Sequence, residues 1–189
     1  NDDIVPIGYR TVPGVQYGMG LSTSWKNFEF NILFQGSGKC DFFIGGNGPH
    51  AFRNGQTGNI LQTMVDDNRW IPSEISGDVS TENPNASWPR LTWGNNDNNN
   101  QKSTFWLRDG RYIRLKNIEL RYNVPTTFTR KFFVSNMQIG FIGENLHTWS
   151  PFKLWDPENA TTDEKNSGVR SGNAYPINRT YSCYIKLSF

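Results

Sequence analysis

The stretch VQYGMGLSTSWKNFEFNILFQG, residues 15–36, constrains this chain more than any other. Val15, Tyr17, Met19, Leu21, Thr23 and Trp25 alternate with Gln16, Gly18, Gly20, Ser22 and Ser24. After Lys26 and Asn27 the pattern resumes, with Phe28, Phe30, Ile32 and Phe34 set against Glu29, Asn31, Leu33 and Gln35. Side chains alternate sides in an extended strand, so a period of two makes one face apolar and the other small or polar. Two such runs around two residues predict an antiparallel hairpin.

Three further runs share the pattern. In 111–124, Ile113 and Leu115 oppose Arg114 and Lys116, then Ile118, Leu120 and Tyr122 oppose Glu119, Arg121 and Asn123. That change of parity predicts a bulge near Lys116–Asn117, and Pro125 ends the run. In 136–149, Met137, Ile139 and Phe141 oppose Gln138, Gly140 and Glu144. In 179–189, Tyr181, Cys183, Ile185, Leu187 and Phe189 oppose Ser182, Tyr184, Lys186 and Ser188. Chain ends ordinarily fray, yet this one is patterned to be held in a sheet. Strands are thus expected near 15–25, 28–36, 111–124, 136–149 and 179–189. Between them lie two long polar segments, 37–104 and 150–178, the first containing GGNGPH and NNDNNN. Within the first, GNILQTMVDD, residues 58–67, reads as a helical piece.

An apolar content of 35% with 14% aromatics argues against helical packing and for β-structure with polar loops. No run approaches the ~20 apolar residues of a membrane-spanning helix, whereas a transmembrane strand needs only ~9–11. Two all-β readings stay open. One is an antiparallel transmembrane barrel segment, with an outward face of Phe28, Phe30, Ile32, Phe34, Ile139, Phe141, Ile185 and Leu187. Its charged face, Glu29, Arg114, Lys116, Glu119, Arg121, Glu144 and Lys186, then lines water. The other is a soluble β-sandwich, a glycan-binding module in which the apolar face makes a core. Connections that run short, very long, short and long match outer-membrane barrels. Aromatics near strand ends (Trp25, Phe28, Tyr122, Phe132, Phe133, Trp149) match interfacial girdles.

Chemistry finds little support. A net charge of +2 gives no field for nucleic acid. His50 and His147 lack nucleophile or metal-ligand spacing, so neither a catalytic residue, a metal nor a cofactor is expected. Cys40 and Cys183 are expected to stay thiols rather than form a disulfide. Trp70, Trp88, Trp93, Trp106 and Trp155 lie in or beside the polar segments. They either stack on a ligand or contact a lid, or they pack the loops together.

The stretches NPNASWPRL (83–91), STFWLRDGRYIRLKNIELRYNVP (103–125), GENLHTW (143–149), WDPE (155–158) and YPINRTYSCYIKLSF (175–189), in this order, resemble the C-terminal barrel region of the SusC/RagA family of TonB-dependent outer-membrane transporters. YGMGLSTSWKNFEFNILFQGSG (17–38) is similar to the hairpin before them. Family members often carry Gly where Tyr184 stands. The resemblance implies about five C-terminal strands of a ~22-stranded barrel, in the outer membrane of a Gram-negative bacterium, with 37–104 and 150–178 outside the cell. It implies a transporter rather than an enzyme, importing oligosaccharides or peptides beneath a SusD-like surface lipoprotein. The plug and the TonB-contacting segment are expected upstream of Asn1, where the chain starts without Met and reads as a mature or truncated piece. Tyr181, Ile185, Leu187 and Phe189 resemble the signal read during barrel assembly.

Overall fold

A computed structural model describes residues 5–53, 60–66, 69–94, 96–161 and 167–189. They form two compact units. One comprises Asn1–Thr11, Asp41–Arg108 and Ala160–Ala174, the other Val12–Cys40, Asp109–Asn159 and Tyr175–Phe189.

The second unit is a five-stranded antiparallel meander of β1 (Val15–Trp25), β2 (Phe28–Gly38), β5 (Tyr112–Val124), β6 (Asn136–Trp149) and β8 (Thr180–Ser188), in that spatial order. The hairpin turn falls on Lys26 and Asn27, and Lys26 takes a left-handed φ of 53° that such a tight turn demands. β1 and β2 pair without slip from Val15↔Gly38 to Trp25↔Phe28. Between β5 and β6, Pro125 starts a short helical turn, α3 (Thr126–Thr129 in chain order after α1 and α2 below), and a 3-10 turn over Arg130–Phe132 follows.

The expected bulge is present and double. Against β2, Phe34 pairs with Leu115 and Leu33 with Asn117, so Lys116 is an extra residue. Against β6, Leu115 pairs with His147 and Asn117 with Glu144, so Asn145 and Leu146 together oppose Lys116. Asn145 absorbs the irregularity with φ 53°, a conformation its short polar side chain tolerates better than most. The extra residue is why Leu115 and Ile118, three apart in sequence, lie on one face.

The first unit holds order that alternation did not disclose. β3 (Asp41–Ile44) is flanked by β4 (Leu107–Asp109) and by β7 (Val169–Arg170), the latter parallel. Two single-turn helices, α1 (Gln62–Val65) and α2 (Ser73–Ser76), lie between β3 and β4. The described part of the expected helix at 58–67 is therefore one turn, and residues 58, 59 and 67 lie outside the described residues. Phe42, Ile44, Met64, Trp88 and Trp106 are the buried centre, and the Arg170 guanidinium lies 4.1 Å over the Phe42 ring.

Candidate functional site

The register of the five-stranded sheet aligns side chains in rows, because directly paired residues share a face. One face carries Trp25, Phe28, Tyr122, Ile139 and Ile185 in a row, then Thr23, Phe30, Leu120, Phe141 and Cys183. Leu21, Ile32, Ile118, Gly143 and Tyr181 come next. Met19, Phe34, Leu115 and His147, then Tyr17, Gly36, Ile113 and Trp149, complete it. From Tyr17 to Trp25 the strand covers about 27 Å at ~3.4 Å per residue. A barrel tilt of ~40° reduces that to roughly 20 Å, close to the apolar height of an outer-membrane barrel.

This face is apolar and open. Met19 is 66% exposed, Trp25 67% and Ile185 63%. Fully burying such side chains is worth about 1.5–3 kcal/mol each, and soluble monomers rarely expose an apolar patch above a few hundred Å². A sandwich would lay a second sheet here, whereas among the described residues these side chains stay exposed. Aromatics concentrate at the hairpin end: Trp25, Phe28 and Tyr122, with Phe28 and Tyr122 rings 4.7 Å apart, then Phe132 and the 92%-exposed Phe133 beyond the strands.

The opposite face is a hydrogen-bonded lattice. Arg121 pairs with Glu29 at 3.0 Å and Glu119 at 3.0 Å. Asn31 donates to Glu119, Asn123 to Glu29 and Gln138 to Asn123, at 3.1, 2.9 and 2.9 Å. The Tyr184 ring lies on Gly140, where an added Cβ would come within 2.2 Å of it. Its hydroxyl donates to Gln138 at 3.4 Å. Tyr184 thus occupies the space that the missing side chain of Gly140 leaves. Tyr17 does the same on the apolar face, over Gly36, and its hydroxyl donates to the Tyr112 carbonyl at 3.0 Å.

Toward the loop end of the polar face, Arg114 is 1% exposed. One guanidinium nitrogen reaches both Asp156 oxygens, at 2.6 and 2.7 Å, and lies 3.4 Å from Glu158. A backbone N–H of Glu158 also donates to Asp156 at 2.9 Å. The WDPE stretch is thereby folded over the polar face of β5, with the Phe152 and Trp155 rings packed edge to face at 4.9 Å. Alternation had marked Arg114 as a polar-face residue, but its partner 42 positions away leaves no periodic trace.

The tryptophans separate. Trp88 and Trp106 are buried, 6.2 Å apart, and Trp106 donates its indole N–H to the Asn99 carbonyl at 2.6 Å. Their rings pack the loop unit. Trp93 is 71% exposed beside Phe52, Trp70 is half-buried, and Trp155 belongs to the sheet unit. His50 is buried edge-on to Trp106 at 4.8 Å, and neither ring nitrogen has a hydrogen-bond partner among the described residues. Burial, with Arg53 nearby, pushes its pKa down to about 4. The His147 ring lies tilted beside that of Trp149, 4.4 Å away, on the apolar face. Tyr181, Ile185 and Leu187 point outward from β8, the edge strand, and Phe189 follows it, exposed.

No family model matches the chain. Over 192 residues it is 28% identical to TonB-dependent receptor P26 of Formosa agariphila, covering 100% of this chain and 18% of that protein. TonB-dependent receptor P3 of the same organism is 27% identical over 186 residues, 94% of this chain and 16% of that protein. The chain therefore spans less than a fifth of the length of these relatives. Among solved structures, the RagAB peptide importer in its closed-closed state superposes with a TM-score of 0.69 at 21% identity, over 97% of this chain and 18% of that one. Its open-open state gives 0.64 at 21% identity, over 96% and 18%. At that identity the likeness speaks for the fold. In sequence the chain is thus similar to a part of TonB-dependent receptors, and in fold to a part of the RagAB importer.

Proposed function

We propose that this chain forms part of the wall of an outer-membrane β-barrel that imports oligosaccharides or peptides in a TonB-dependent manner. The observation that carries the reading is the five-strand-wide apolar face, open along its whole width and backed by a polar lattice. Lipid satisfies the one face and a watery lumen the other, which a soluble module could not do. The free edges of β1 and β8 demand further strands, since unpaired backbone groups in lipid cost several kcal/mol each, in order of magnitude. A barrel of ~22 strands supplies them, with the plug and the TonB contact in other parts of the protein.

In this reading Phe189 lies at the periplasmic end, and Tyr181, Ile185, Leu187 and Phe189 form the assembly signal. Residues 37–104 and 150–178 form the outer rim, beneath a SusD-like lipoprotein. Trp93 and Trp70 keep ring surface for substrate or lid, whereas Trp88 and Trp106 act by holding the rim in shape, and Trp155 by seating WDPE. The solved neighbours are peptide importers, which supports the peptide side of the substrate alternative. The reading needs no cofactor and no catalytic group.

Topology is tested with single cysteines in the full-length protein in intact cells, labelled by an impermeant maleimide. Asn98→Cys should label and Asn27→Cys should not. The reverse pattern inverts the topology and removes the rim assignment.

A further inference from the structure

At the loop end of the apolar face the sheet unit carries a groove of about 500 Å³. Its walls are Tyr17, Ile113 and Trp149, the outermost apolar row, and its outer margin carries Arg111 and Lys153. We propose that this groove holds the phosphorylated headgroup of an outer-leaflet lipid, an inference that rests on the membrane reading above.

Three observations point there. The groove continues the apolar face directly, so an acyl chain lying along that face leads its headgroup into it. Tyr17 and Trp149 are amphipathic rings suited to the depth of the headgroups. Tyr17 is fixed there by its bond to the Tyr112 carbonyl and by its seat on Gly36. The margin is cationic. Lys153 is exposed and pairs with no carboxylate among the described residues. Arg111 keeps its head 68% exposed while its Nε contacts Asp109 at 2.9 Å, which leaves its other nitrogens to a phosphate. A guanidinium and an ammonium beside an aromatic wall match a phosphate monoester on a lipid better than a sugar hydroxyl, because phosphate accepts charge-assisted hydrogen bonds from both.

The test uses the intact transporter in neutral detergent, titrated with diphosphoryl lipid A, its dephosphorylated form, or phosphatidylcholine. Bound lipid is counted by native mass spectrometry. The diphosphoryl form should be retained in preference to the other two. Lys153→Gln should lower that retention roughly five-fold, and Arg111→Gln with Lys153→Gln roughly twenty-five-fold, about the effect of one surface cation each. Equal retention of the three lipids, or unchanged retention in the double variant, overturns the proposal. A second arm separates this from failure of the membrane reading. A fluorophore on Ile139→Cys, in vesicles with nitroxide-labelled acyl chains, should be quenched. Quenching together with equal retention removes only the headgroup site, whereas absence of quenching removes the barrel and the headgroup site together.

Discussion

The two units use the same kinds of side chain in opposite ways. In the loop unit, Phe42 and Ile44 are 1% exposed and Trp106 2%. In the sheet unit the aromatic and aliphatic residues of β1 and β8 stand open. Hydrophobic burial against protein holds the first together in water. The second keeps its shape through backbone ladders and a polar-face lattice, and leaves its apolar surface exposed. The difference teaches that apolar content alone says little about environment. What decides it is whether the fold closes over the apolar side.

The comparison breaks first at the middle of the apolar face. Ile118 lies in the central row, between Tyr17 at one end and Trp25 at the other. Ile118→Arg should lower barrel stability by about 2–4 kcal/mol, the cost of a cation near the bilayer midplane. Ser182→Arg, on the polar face in the next row, should be mild. Urea unfolding of the full-length protein from lipid vesicles measures both, and equal effects would contradict the register. Ile185 shares its row with Trp25 and Tyr122, near the interface, so Ile185→Arg should cost less, roughly 0–1 kcal/mol.

Next comes the clasp between strand and loop. Arg114→Met leaves Asp156 without its cation. Complete burial would make that loss about 3–5 kcal/mol. Asp156 retains 18% of its side-chain exposure, so about 2–3 kcal/mol is expected, confined to residues 150–159. Hydrogen exchange should rise there and stay unchanged at the hairpin. Asp156→Asn combined with Arg114→Met should cost less than the sum of the two single changes, since each removes the same interaction.

A gentler test sharpens the glycine–tyrosine seats. Gly36→Ala places a methyl 2.5 Å from the Tyr112 carbonyl and the Tyr17 ring, so backbone has to move, at about 1–3 kcal/mol. Urea unfolding from vesicles reads this loss, and a neutral result would mean that the Tyr112 carbonyl and the Tyr17 ring both give way without cost.

The loop unit should show its own pH dependence. His50 is buried neutral with its pKa down at about 4 against an ordinary 6.5. Between those values the unfolded segment binds the proton first. Stability is therefore fully present above pH 6.5, falls as pH drops toward 4, and levels off below. Limited proteolysis within 41–108 should accelerate from pH 7.5 to pH 5, and His50→Phe should flatten that dependence. The smallest effect belongs to Trp93→Ala. An exposed ring should change stability by under ~0.5 kcal/mol while weakening lid or substrate binding, and unaltered binding would return Trp93 to a packing role beside Phe52.

Strand positions, the hairpin turn and the bulge at Lys116 were legible in the sequence because alternation is a local property: each residue's parity assigns its face. The family resemblance was legible for a similar reason, in short motifs standing in a fixed order. The small sheet was not. β3 has four residues, and its partner β7 lies about 125 positions away in the chain, so no periodicity could develop. The tryptophans show the same limit. Composition put five of them near the loops, but burial of Trp88 and Trp106 and exposure of Trp93 depend on which distant segments cross them. Sequence by itself determined the two chemical faces of the sheet. Only the tertiary structure decided that the apolar one stays exposed among the described residues, that Tyr184 fills the space above Gly140, and that Arg114 reaches Asp156. Those outcomes depend on long-range contacts, whose energy comes from neighbours in space rather than from neighbours along the chain.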